Sequence, residues 1–97
     1  MPELANSLKP EAVVVIRNIK GLHARASAKF VQAVERFNAQ VWVTRGGETV
    51  GGTSIMGLMM LAAGTGSSIT VEAVGPQAAE VVEALAELVS SRFAESD

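Results

Sequence analysis

The sequence predicts a two-layer α+β sandwich: helices on one face of a mostly antiparallel sheet of four strands, the other face left to solvent. Three observations predict it. β-branched residues concentrate in short runs, three other runs carry apolar residues at helical spacing, and the runs follow the order β-α-β-β-α-β-α, with a Gly-Gly turn between the adjacent strands. A chain of 97 residues has room for one core, so residues 1–97 are read as a single domain, with residues 1–11 as an N-terminal extension.

The first strand is "AVVVIR", Ala12 to Arg17, bounded by Pro10 and the loop "NIKG". From Ala24 to Phe37 the period changes. Ser27, Phe30, Val31, Val34 and Phe37 share one helical stripe, with Lys29, Glu35 and Arg36 mostly away from it. "AQVWVTR" alternates again, and Gly46-Gly47 followed by "ETV" makes it a hairpin in which Trp42 packs on the sheet. Thr53 or Ser54 caps a short helix over "IMGLMML", which Gly64 ends. The loop "GTGSS" leads into the strand "ITVEAV". Gly75-Pro76 opens the last helix, where Val81, Val82, Leu85, Leu88 and Val89 oppose a solvated face of Glu80, Glu83 and Glu87.

Composition removes several function classes. Apolar residues make up 48% of the chain, enough for a packed core between loose ends. The absence of cysteine excludes disulfides and thiol chemistry, and fits a reducing cytoplasm. No basic region followed by an apolar run opens the chain, and "IMGLMMLAA" is too short to span a bilayer, so neither secretion nor a membrane is expected. A single histidine without cysteine or clustered carboxylates is too small a ligand set for a metal. There is no G-x-S-x-G, and Asp97, the only aspartate, ends the chain, which argues against a Ser-His-Asp hydrolase. "GGTS" and "GTGSS" match neither nucleotide-binding glycine pattern and read as turns. With a net charge of −2 and its phenylalanines on core stripes, the chain has little with which to bind nucleic acid. No cofactor is called for.

The distribution of charge is more informative than the sum. Lys9, Arg17, Lys20, Arg25, Lys29 and Arg36 lie in the half that holds His23. His23 stands where a loop meets a helix, so the amides of Ala24, Arg25 and Ala26 lack carbonyl partners in the helix. An anion at His23 would meet those donors, the positive end of the helix dipole and Arg25, an arrangement suited to a phosphoryl group. A neutral imidazole nitrogen is nucleophilic without a separate base, and phosphoryl transfer needs positioning more than acid-base machinery.

"GLHARASAKF", followed some thirty residues later by "TSIMGLMMLAAGTGSSITV", resembles the HPr family, the histidine-containing phosphocarriers of the phosphoenolpyruvate phosphotransferase system. The resemblance runs from Ala12 to Val89. It implies an open-faced β-sandwich with the element order read above, and a stoichiometric carrier rather than an enzyme. It further implies that His23 accepts a phosphoryl group on Nδ1 from phosphorylated Enzyme I and passes it to enzyme II A-type domains or nitrogen-type equivalents, with Arg25 assisting the phosphohistidine. Ser54 matches the serine that a dedicated kinase/phosphorylase modifies in some bacteria.

"IMGLMML" is too apolar for a short helix with one buried face. Leu58 and Leu61 are expected in the core and Ile55, Met56 and Met59 on an adaptable exposed patch. By resemblance this patch, with Leu22, Ala24 and Arg25, docks Enzyme I and enzyme II domains, the chain acting as a monomer. Two departures stand out: Ala26 replaces the usual proline of G-L-H-A-R-P-A, with Ser27 at the next alanine, and Met60 replaces a commonly small polar residue. The missing proline leans toward a nitrogen-related regulatory branch. A binding-only regulatory domain using the Ile55-Met56-Met59 patch is the remaining alternative.

Overall fold

The computed structural model describes residues 9–94. Strands β1 (Glu11–Val15), β2 (Gln40–Arg45), β3 (Glu48–Gly51) and β4 (Ser68–Val74) form one antiparallel sheet in the order β1-β4-β2-β3. Helices α1 (Ala24–Val34), α2 (Ile55–Met60) and α3 (Ala78–Ser90) complete the expected β-α-β-β-α-β-α order. Alternation along β1, β2 and β4 sends Val14, Val41, Val43, Ile69, Val71 and Ala73 into the core, where they meet Phe30 of α1 and Leu85 of α3. The opposite face is open: Val13 is 66% exposed, Trp42 is half-buried across from Gly51 and Glu72, and Thr44 and Thr49 share a hydroxyl hydrogen bond of 2.8 Å. The hairpin turn falls on Gly46 and Gly47, both at positive φ (56° and 87°), the conformation that a tight two-residue turn requires.

Several boundaries differ from expectation for physical reasons. The sheet begins earlier. Ala73 N–H donates to Pro10 O at 3.1 Å and Lys9 pairs with Glu72 at 3.1 Å, so residues 9–11 belong to the fold, while the rest of the expected extension lies outside the described residues. β1 stops at Val15, and Ile16 continues inward as a core residue of the following loop. α1 gives way after Val34 to tighter bonds, Arg36 N–H to Ala33 O and Phe37 N–H to Val34 O. Phe37 packs against the core from beyond the helix.

Ser54, of the two candidates, caps α2: its Oγ accepts from Gly57 N–H at 2.9 Å. Gly64 does not end this helix. The chain turns at Ala62, which takes φ 53°, because Leu61 must enter the core and Ala63 O must reach Leu22 N–H at 3.0 Å. Pro76 lies outside α3 rather than in its first turn. Gln77 is tied to Asn38 by two bonds, N–H to Asn38 O at 3.0 Å and Oε1 from Asn38 N–H at 2.7 Å, before the helix starts at Ala78.

The C-terminal end is not loose as far as it is described. A short turn over Arg92–Ala94 carries Phe93 into the core at 0% exposure, and Lys29 Nζ donates to Phe93 O at 2.7 Å.

Candidate functional site

Two loops, residues 16–22 and 61–67, are sewn together and build the floor of the site. Ile16 N–H donates to Ser67 O and Gly66 N–H to Ile16 O, both at 2.8 Å. The Thr65 hydroxyl lies 2.6 Å from Asn18 O and 2.9 Å from Ile19 O. Buried Asn18 donates through Nδ2 to Gly21 O at 2.9 Å. Gly21 is required where it stands. At φ 63° a β-carbon would lie 2.8 Å from Gly64 Cα and collide with the Ala63 carbonyl oxygen.

This bracing delivers His23 to the N-cap of α1 in extended conformation (φ −74°, ψ −179°). Its carbonyl accepts from Ser27 N–H at 2.8 Å, and its Nδ1 accepts from Arg25 N–H at 3.2 Å. The second bond assigns the lone pair to Nδ1 and the proton of the neutral ring to Nε2. It is long enough to exchange readily for a bond to another acceptor. Ser27 follows as a buried residue whose Oγ donates to Leu22 O at 3.1 Å, so the polar side chain costs little inside.

A hollow of about 280 Å³ opens beside the imidazole, lined by Lys20, Leu22 and His23 from one loop and by Met59 and residues 62–64 from the other side. Ala24 and Arg25, next along the chain, are exposed, and His23 is half-buried. Next to them α2 presents Ile55 (40%), Met56 (71%), Met59 (40%) and Met60 (70%) to solvent, while Leu58 and Leu61 are buried. Ser54, also exposed, stands at the start of this patch.

Two expected contributors are placed differently. Ala26 has 0% exposure, because the apolar face of α1 begins with its methyl group, so its amide is not open to solvent as the expected anion donor would be. Leu22, at 5% exposure, lies in the core and not on the exposed surface expected of a docking residue. Two residues were missed. Lys20 lines the hollow, and Met60 is as exposed as Met56. Their only signals were a lysine three positions before His23 and an apolar residue off the core stripe.

Comparison with known proteins bears on the chain as a whole. The model of the family described as PTS HPr component phosphorylation site matches residues 10–91, a span containing His23, Arg25 and Ser54. The chain belongs to the HPr family. It is 50% identical over 82 residues to the phosphocarrier protein HPr of Cupriavidus necator, covering 84% of this chain and 92% of that one. Among solved HPr structures, HPr-C-His from Thermoanaerobacter tengcongensis superposes with TM-score 0.86 at 38% identity, covering 91% of this chain and 99% of that chain. HPr from Bacillus anthracis superposes with TM-score 0.80 at 44% identity, covering 84% and 98%. HPr proteins are phosphocarriers of the phosphotransferase system, and the sandwich described above is their fold. Among the described residues no three His, Cys, Asp or Glu side chains come together as a metal site, and no helix is long and apolar enough to cross a membrane.

Proposed function

We propose that His23 is the phosphoryl acceptor, taking the group from phosphorylated Enzyme I and passing it to an enzyme II-type acceptor. The observation that carries this reading is the Nδ1 lone pair held at a helix N-cap by the Arg25 amide, at the mouth of a solvent-open hollow. The lone pair attacks phosphorus, and the N–P bond on the donor's phosphoimidazolium breaks with its electron pair returning to the donor nitrogen. Because the His23 proton already sits on Nε2, no proton changes hands. As Nδ1 turns from Arg25 N–H to phosphorus, that N–H becomes a donor for a phosphoryl oxygen, joined by the Arg25 guanidinium.

The exposed Ile55, Met56 and Met59, continued by Met60, serve with Ala24 and Arg25 as the face on which partners dock. Ser54 is the regulatory position. A kinase-added phosphate there would bring about two negative charges to the edge of this apolar face, where covering them with a docked partner is costly, and so weaken docking. The test supplies purified protein with Enzyme I and phosphoenolpyruvate. Acid-labile phosphate should appear on wild type and pass to an enzyme II A-type domain, and Ser54→Asp should slow uptake without unfolding the chain. Uptake by Ser54→Asp at the wild-type rate would remove the regulatory role, and no uptake by wild type would remove the carrier role.

A further inference from the structure

We propose that Lys20 is a second cationic contact for the phosphoryl group on His23, an inference that rests on the phosphocarrier reading above. The hollow beside the imidazole has apolar walls from Leu22, Met59, Ala62 and Ala63, and among the described residues Lys20 is the one lining residue that carries a fixed positive charge. Arg25 is not part of that lining; it stands exposed at the first turn of α1.

A phosphorylated imidazole pushes about two negative charges toward such a hollow, and apolar walls weaken the screening that water would otherwise provide. A cation there is worth more than one on an open surface. Among the described residues no ion pair or hydrogen bond engages the Lys20 ammonium, so it turns toward the phosphoryl group without breaking an existing contact. Its compact head offers three donors on a flexible stem, suited to oxygens whose positions shift during transfer.

The backbone beneath Lys20 is fixed. Lys20 sits in a turn closed by Gly21 N–H to Asn18 O at 3.2 Å, Asn18 Nδ2 holds Gly21 O, and Thr65 holds the carbonyls of Asn18 and Ile19. The lysine stem therefore starts from a constant place relative to His23. Lys20 makes and breaks no bond in the step. As the N–P bond forms on His23 and the donor's N–P bond breaks, its charge offsets that on the three phosphoryl oxygens, while Arg25 meets the same group from the first turn of α1.

The experiment measures kcat/KM for phosphoryl uptake from phosphorylated Enzyme I by wild type, Lys20→Gln, Lys20→Arg and Arg17→Gln. Arg17 is an exposed cation of the same basic half that does not line the hollow, so it reports the general field. Loss of one charge-assisted contact should lower uptake by Lys20→Gln roughly tenfold. Lys20→Arg and Arg17→Gln should stay within about twofold of wild type. In wild type the Lys20 side-chain NMR signals should shift on phosphorylation. Unchanged uptake by Lys20→Gln, an equal loss in Arg17→Gln, no rescue by Lys20→Arg, or Lys20 signals that stay in place would each overturn the proposal. If wild type accepts no phosphate, the carrier reading fails and this one falls with it; normal wild-type uptake with a normal Lys20→Gln removes Lys20 alone.

Discussion

His23 Nδ1 accepts a hydrogen bond from Arg25 N–H at 3.2 Å, so the side chain proposed to carry the phosphoryl group also caps the helix that presents it. The two roles can be separated. His23→Ala removes nucleophile and cap together and should cost about 1 kcal/mol of stability. His23→Asn keeps a capping side chain and should melt near wild type, yet accept no phosphate. Urea denaturation beside an uptake assay distinguishes them, and phosphate uptake by His23→Asn would contradict the assignment.

Gly21 sets the loop in front of His23, and adding a methyl group there tests how firmly. With φ at 63° and the Ala63 carbonyl in the way, Gly21→Ala must shift the backbone. A loss of about 2–4 kcal/mol is expected, with slower phosphoryl uptake because Leu22 and His23 move together. Equilibrium unfolding measures the first effect. A neutral substitution would mean that the loop is looser than its hydrogen bonds imply.

Ala62 carries the opposite imbalance. It occupies the left-handed region at φ 53° where a glycine would sit without strain. Ala62→Gly should therefore raise stability by about 1 kcal/mol, read as a higher urea midpoint at unchanged slope.

Ala26 stands in the first turn of α1, whose amides have no acceptor within the helix, and it is fully buried. Proline there removes a donor that the helix does not use and restricts the unfolded chain. Ala26→Pro should stabilise by about 0.4–1 kcal/mol, measured as a rise in Tm. A fall in Tm would show that the Ala26 N–H has a partner that matters.

Legibility in the sequence followed how local the cause was. The Gly46-Gly47 hairpin and the stripe of Phe30, Val31 and Val34 depend on neighbours in the chain, and both are where the pattern set them. His23 at a helix start was equally local. Gly64 misled because the end of α2 is set by the reach of Ala63 O to Leu22 N–H, a contact between distant segments. Leu22 was assigned to the docking patch, and the Ala26 amide to an incoming anion, because the motif is read as a string, whereas burial depends on which face the loop turns inward. Phe93 was overlooked because a turn of three positive-φ residues has no periodicity to read. Lys20 lines the hollow because the chain turns between Asn18 and Gly21, and no spacing rule for helices or strands conveys that.

The central claim is that this chain carries phosphate on His23. The most direct measurement is 31P NMR with site mapping after incubation with Enzyme I and phosphoenolpyruvate. A single acid-labile phosphate on His23 Nδ1, absent from His23→Ala, is the predicted result. Phosphate on another residue, or equal uptake by His23→Ala, would contradict it.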